Sequence, residues 1–263
     1  MLTFTPHPAR LFAPERAPPL ITSVERRLEL LAEAGIDVAI VEPFTRAFAA
    51  IDAPAFVRDV LARQLGARDV IVGYDFSFGR DRAGTVATLR ELGAVAGIGV
   101  AVIPPVAIDG VPCSSTRIRE LVSAGDTAAA ARLLGRPFEI EGAVARGAGR
   151  GRGLGFPTAN VVPEGELRPK LGIYAARALI LDGPLAGGRH LAALSVGTNP
   201  QFSGAAVTIE AFLLDFDGDL YERRLRVEVG ERLRDERRFE SIDALIAQIR
   251  ADVAQVRLLS REP

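Results

Sequence analysis

Gly142-Ala-Val-Ala-Arg-Gly-Ala-Gly-Arg-Gly-Arg-Gly-Leu-Gly-Phe-Pro-Thr-Ala-Asn160 is the stretch whose reading decides the architecture of this chain. Glycine occupies every second position from Gly147 to Gly155, and the chain then stiffens through Phe156, Pro157, Thr158, Ala159 and Asn160 into Val161 and Val162. A glycine run lets backbone N–H groups approach an anion that side chains would hold away. Arg146, Arg150 and Arg152 add positive charge in or beside the run. In an extended segment Thr158 and Asn160, two apart, project to one face. Their neutral oxygens are hard ligands of the kind Mg²⁺ accepts alongside phosphates and water. In outline this is a phosphate-cradling loop followed by a metal-side hydroxyl and amide, hence a nucleotide site. Alternating glycine and arginine is also the composition of a flexible linker or an RNA-contacting arm. The run by itself leaves those readings open.

Downstream of the run the pattern is one of short strands. Segments 140–144, 158–162, 173–181, 190–196, 207–214 and 221–229 are apolar or alternating and are divided by Gly, Pro and Asp turns. Many short strands at this spacing predict a small antiparallel β-barrel. Residues 241–256 follow as an amphipathic helix with Ser241 as cap and Ile242, Leu245, Ile246, Ile249 and Val253 spaced for packing. Glu210 is a carboxylate inside the apolar strand Val-Thr-Ile-Glu-Ala-Phe-Leu-Leu, which spacing alone leaves on a solvated face.

Residues 149–160, ending Gly-Phe-Pro-Thr-Ala-Asn, resemble the signature of the riboflavin kinase family. The likeness covers residues 136–263 essentially end to end. It implies an ATP-dependent enzyme that passes the γ-phosphate to the riboflavin 5′-hydroxyl, giving FMN, with Mg²⁺. It implies Glu210 as the general base, and Thr158 and Asn160 as holders of Mg²⁺ beside the ATP phosphates. The nucleotide would lie against Gly147, Gly149, Arg150, Gly151, Gly153, Gly155, Pro157 and Thr158, with Tyr174 and Asn199 on the same side. Spacing alone gives Tyr174 equally well to a strand core and Asn199, before Pro200, to a turn. By the same resemblance Arg234 and Phe239, in a charged run, belong to a flap on the flavin side.

Upstream, residues 1–135 read as alternating strands and helices. Leu2-Thr3-Phe4 ends a strand stopped by Pro6 and Pro8, and further strands are expected at 38–41, 70–72 and 100–103. Helices are expected at 23–34, 52–65, 85–95, 114–122 and 126–134 from apolar spacing, polar caps and glycine stops. Apolar strands separated by helices predict parallel βαβ units of the Rossmann-like kind, with ligands at the strands' C-terminal ends. Ser114, Ser115 and Thr116 followed by Arg117 and Arg119 put hydroxyls, free amides and two cations at a helix start, which is an anion site or a plain cap. Gly135-Arg136-Pro137 is the expected boundary, giving domains 1–135 and 136–263.

This half resembles the adenylyltransferase domain at the front of bifunctional bacterial flavin-synthesis proteins, through Thr-Phe-Thr-Pro-His-Pro (3–8), Gly-Tyr-Asp-Phe-Ser-Phe-Gly (73–79) and Ser-Ser-Thr-Arg-Ile-Arg (114–119). The resemblance implies a vestigial adenylyltransferase site at His7, Asp75, Ser114, Ser115, Thr116, Arg117 and Arg119. That family opens with a strand and a Gly-x-Phe-Asp-Gly-x-His-x-Gly-His loop, whereas this chain carries only His7 and His190. A central strand of the sheet is therefore expected to be absent and FAD formation with it, unless a longer natural start supplies the loop.

Composition limits the alternatives. In 263 residues, 48% are hydrophobic, 25% are charged, and the formal net charge is -1. That balance argues against a nucleic-acid binder built on bulk basicity. Lys170 is the only lysine, so a Walker A loop is impossible and a strand-borne kinase lysine is excluded with it. Cys113 stands alone and can make no intramolecular disulfide. No apolar run reaches membrane-spanning length, and the start has no signal-peptide pattern. The expectation is a cytoplasmic enzyme acting on riboflavin and ATP, with neither nucleic acid nor membrane as partner.

Overall fold

A computed structural model describes residues 1–146, 150–198 and 207–260, without the side chains of Arg150 and Arg152. Gly147, Gly149 and Asn199 lie outside the described residues. The chain divides into two compact units, Met1–Pro18 with Leu28–Pro112, and Pro19–Arg27 with Cys113–Pro263.

The first unit is parallel α/β. β1 (Leu2–Thr5) leads into α1 (Pro8–Phe12), then α2 (Val24–Glu33), which crosses from the second unit into the first. β2 (Ile40–Pro43) pairs parallel with β1, Leu2 facing Ile40. The expected strand at 38–41 is thus displaced. Val38 is exposed, and its carbonyl accepts from the amino terminus at the point where pairing begins. α3 (Arg46–Ala49) and α4 (Ala53–Ala55) follow, and α4 runs into a π-helix at Phe56–Gln64. The helix expected over 52–65 is therefore mostly π-wound. Phe56, Val57, Val60 and Leu61, four apart in pairs, share the buried side of this wider coil.

β3 (Asp69–Gly73), α5 (Val86–Ala96) and β4 (Gly99–Ile103) form the other βαβ unit, with Thr85 capping α5 through Thr88 N. A short hairpin of β5 (Ala107–Ile108) and β6 (Val111–Pro112) ends the unit. The parallel pairing is as expected, but it comes as two two-stranded sheets. Phe56, Phe78, Leu89 and Ile98 form the shared core, against which Leu2 of β1 and Val70 of β3 both pack.

In the second unit α6 (Ser115–Ala124) starts at Ser114, whose Oγ accepts from Arg117 N at 3.2 Å, and α7 (Thr127–Leu134) starts at Asp126. β7 (Phe138–Ala145), the single turn α8 (Arg150–Gly153), β8 (Ala159–Pro163), β9 (Gly172–Ile180), β10 (Arg189–Thr198), β11 (Val207–Leu213) and β12 (Arg224–Arg234) follow. The six strands close into a barrel in the order β10-β11-β8-β7-β12-β9, antiparallel throughout. Alternation fills it: Ile140, Val144, Val161, Leu194, Val196, Ile209, Leu225 and Val227 are buried. The last strand starts at Arg224 and not near Tyr221, because residues 215–222 form a turn with Asp215 and Glu222 at positive φ. α9 (Ile242–Leu259), capped by Ser241, lays Val253 and Val256 on the outside of the barrel against Ala193, Phe212 and Leu233.

A stretch from the front of the chain belongs to this second unit. Arg26 donates to both carboxylate oxygens of Glu139 on β7, at 2.9 and 3.1 Å. Arg136 reaches the same carboxylate at 2.9 Å, and Arg226 of β12 pairs with Glu141. Leu20 N is held by Glu166 at 3.0 Å, and Arg119 Nε donates to Pro19 O at 2.7 Å.

Candidate functional site

The site is built where β8 is wedged between β7 and β11. Gly142 of β7 permits the approach, since a Cβ there would sit 1.9 Å from Val162 O. Along β8, Ala159 and Val161 face the barrel interior, which leaves Thr158 and Asn160 on the outer side. β11 has the same alternation: Ile209, Ala211 and Leu213 are buried, while Glu210 and Phe212 face out. Register places Asn160 directly opposite Glu210. The Thr158 hydroxyl donates to Glu210 Oε2 at 3.3 Å. The Phe156 ring meets the edge of Phe212 at 5.5 Å, packing the residues before Thr158 onto the strand that carries Glu210.

Thr158 and Asn160 line a cleft of about 400 Å³. Gly151 and Pro157 border it on one side, and the turn from Phe216 to Tyr221 forms the other. The Tyr221 ring carries the Arg146 guanidinium at 5.3 Å from its centre. Residues 150–153, expected as open loop, wind into a helical turn: Leu154 N and Phe156 N both reach Gly151 O, at 3.1 and 2.8 Å. A Cβ on Gly151 would lie 2.4 Å from Phe156 O, so only glycine closes this turn without displacing the backbone.

Gly151, Pro157, Thr158, Asn160 and Glu210 therefore come together, with Gly153 in α8 and Gly155 just beyond it. Tyr174 does not join them. It is fully buried in β9, its hydroxyl donates to Lys170 O, and burial raises its pKa. Spacing had left Tyr174 open between ligand and core, and in the structure it fills the core. Arg234 lies at the end of β12, clamped by Asp252 of α9, with its guanidinium 5.9 Å from the Phe239 ring.

The residues expected at an adenylyltransferase site fall in both units. His7 and Asp75 are in the first. His7 Nδ1 accepts from Ala9 N at 3.2 Å and so caps α1, and Asp75 is exposed. Ser114, Ser115, Thr116, Arg117 and Arg119 are in the second. Arg117 pairs with Glu120 at 3.0 Å, and burial lowers the pKa of Arg119. The sequence reading missed the Phe216–Tyr221 wall. Asp-Phe-Asp-Gly-Asp-Leu-Tyr resembles an ordinary turn, and the signal it held was two aromatics set among acids and glycine.

Comparison with known proteins bears on both units. A family model described as riboflavin kinase matches residues 134–259, and one described as FAD synthetase matches residues 1–117. The bifunctional riboflavin kinase/FMN adenylyltransferase of Escherichia coli K12 is 38% identical over 253 residues, 96% of this chain and 79% of that protein. Its namesake from Pseudomonas fluorescens is 37% identical over 261 residues, covering 99% and 82%. A crystal structure titled as a macrolide-efflux protein from Streptococcus pneumoniae superposes with a TM-score of 0.84 at 30% identity, over 97% of this chain and 82% of that one. Among the described residues no helix is long and apolar enough to cross a membrane. With a barrel bearing Glu210 opposite Asn160, a parallel α/β unit before it, and likeness over nearly its whole length, the chain belongs to the bifunctional riboflavin kinase/FMN adenylyltransferase family.

Proposed function

We propose that this chain is a riboflavin kinase that converts riboflavin and ATP into FMN and ADP. The observation that supports it most directly is Glu210 facing Asn160 across β11 and β8, with Thr158 bridging to its carboxylate. In this reading the phosphates of ATP occupy the cleft beside Gly151 and Thr158, and its base lies toward Tyr221. The ribityl 5′-oxygen attacks the γ-phosphorus, the bond from that phosphorus to the ADP oxygen breaks, and Glu210 takes the hydroxyl proton. Small molecules are the partners, and a cytoplasmic setting is part of the same reading.

The donor set fits Mg²⁺. Thr158 offers a hydroxyl and Asn160 an amide oxygen on one wall of the cleft, and no group of three or more His, Cys, Asp or Glu that could hold a metal occurs among the described residues. Two neutral oxygens suit an ion that keeps waters and phosphate oxygens as its other ligands. When bound, Mg²⁺ would offset the charge on the phosphates. Thr158→Ala and Asn160→Ala are expected to raise the KM for Mg·ATP by on the order of tenfold or more while riboflavin affinity changes little. Initial rates at varied ATP and riboflavin check this, and equal loss of both affinities would make the two residues structural.

The direct test is purified chain with riboflavin, ATP and MgCl₂, resolved by chromatography. FMN is expected, and its absence overturns the proposal. For the other family activity we predict that a polypeptide of residues 1–263 given FMN, ATP and Mg²⁺ forms no FAD at a rate comparable to FMN formation. Histidine occurs in it only at His7 and His190. His7 caps α1, and His190 meets Phe216 edge-on in the barrel unit. FAD appearing as fast as FMN shows this wrong.

A further inference from the structure

The outer wall of the barrel carries a second recess, apart from the cleft at Thr158. Along β9, Ala176, Ala178 and Ile180 are buried, so Arg177 and Leu179 point outward. On β10, Ala192 and Leu194 are buried, so Arg189 and Leu191 point outward beside them. Register sets Leu191 opposite Arg177 and Arg189 opposite Leu179. Arg189 is therefore the diagonal neighbour of Arg177, roughly 7–8 Å away or less, within reach of two long side chains. Both arginines are exposed, and among the described residues neither has an ion pair or a hydrogen bond from its guanidinium. Glu228 of β12 faces Arg177 from the other side, which leaves two guanidiniums to one carboxylate.

These groups line a cavity of about 350 Å³. A smaller one of about 140 Å³ adjoins it, and the two share Arg177, Leu191, Glu228 and Ser260. The smaller cavity lies where the last turns of α9 meet the barrel, and Ala175, Leu191, Val256 and Leu259 make it apolar. The combined trough is thus apolar at one end and cationic at the other. It shares no lining residue with the nucleotide cleft. His190, on its rim, has its ring taken up edge-on by Phe216.

The two ends together select the chemistry of an occupant. A guanidinium presents a planar fork of donors that matches the oxygens of a carboxylate or phosphate. The apolar recess beside it takes a ring or a short alkyl group out of water. Small-molecule sites commonly enclose about 300–1,000 Å³, and the larger cavity falls in that range. We infer that the trough on β9, β10 and α9 is a second ligand site, for a small organic anion with an apolar body. The anionic group meets Arg177 and Arg189, on the side of Arg177 away from the like charge of Glu228. The body lies against Leu191 and Leu259. This site stands apart from the kinase reading, since none of these residues lines the nucleotide cleft.

The probe is phenyl phosphate, a phosphate on an aromatic ring, compared with phenol and with inorganic phosphate. Isothermal titration calorimetry of the full chain follows binding, with Mg·ADP present to occupy the nucleotide cleft. Wild type is expected to bind phenyl phosphate saturably, at least about tenfold tighter than phenol or phosphate alone. Arg177→Gln and Arg189→Gln are each expected to raise its Kd by about tenfold, the weight of a charge-assisted hydrogen bond. Both side chains are exposed, so the unfolding transition is expected to stay at its wild-type temperature. Thr158→Ala, in the nucleotide cleft, is expected to leave the Kd of the probe unchanged. The inference is overturned by no saturable binding to wild type, by phosphate alone binding as tightly as phenyl phosphate, or by an unchanged Kd in either arginine variant. Loss of binding in Thr158→Ala overturns it too, because the probe would then sit in the cleft.

Discussion

Replacing Glu210 by glutamine is expected to lower kcat by roughly 10²–10⁴, the range for loss of a positioned general base. The amide keeps the size of the side chain and can still accept from Thr158, so the contact at 3.3 Å and the packing of Phe156 on Phe212 have no reason to change. What disappears is the capacity to take the ribityl proton as the O–P bond forms. KM values and the thermal transition are expected to stay near wild type, because the outer position of Glu210 places no core contact at stake. Single-turnover FMN formation, measured with unfolding by circular dichroism, decides it. A variant within about threefold of wild type would return Glu210 to the solvated face that its strand position alone suggests.

The second large effect is on stability. Glu139 has a side chain only 6% exposed and receives Arg26 through two hydrogen bonds and Arg136 through a third. Glu139→Gln takes a carboxylate from Arg26 and Arg136, in a cluster where Arg26 and Arg226 also reach Glu141. Breaking a buried ion pair from one side costs roughly 3–5 kcal/mol, which at this size moves Tm by about 10 °C. The double change Arg26→Met with Glu139→Leu removes both charges and is expected to recover a good part of that loss. Calorimetry of the three proteins tests the coupling; a single variant as stable as wild type would mean that water reaches the cluster and replaces the pair.

The barrel was legible from many short apolar or alternating strands divided by turns; in one of them Ile209, Ala211 and Leu213 are buried while Glu210 and Phe212 face out. Caps at Ser114 and Ser241 were legible from residue type, and each accepts from the amide three residues on. The π-winding of Phe56–Gln64 was not, since apolar residues four apart suit both coils. Nor was the place of Tyr174, whose side of the strand depends on pairing with β10 and β12. The pairing of Asn160 with Glu210 joins two strands far apart in the chain, so no local window of sequence contains it. The two-piece sheet of the first unit is equally non-local.

The arginine of residue 26 meets its carboxylate 113 positions later in the chain. At ribosomal speeds of ~5–20 residues per second, the nascent segment 19–27 waits roughly 6–20 seconds before β7 has been made. Only late in that interval is the first unit made as far as Pro112, and α2 runs out of it into residues with no barrel yet to join. The chain passes between the units at 18/19, 27/28 and 112/113, so no single cut separates them. Excision at 135 would strand Arg26 on one fragment and Glu139 on the other, and two halves expressed apart would each carry one side of a buried charge cluster into water.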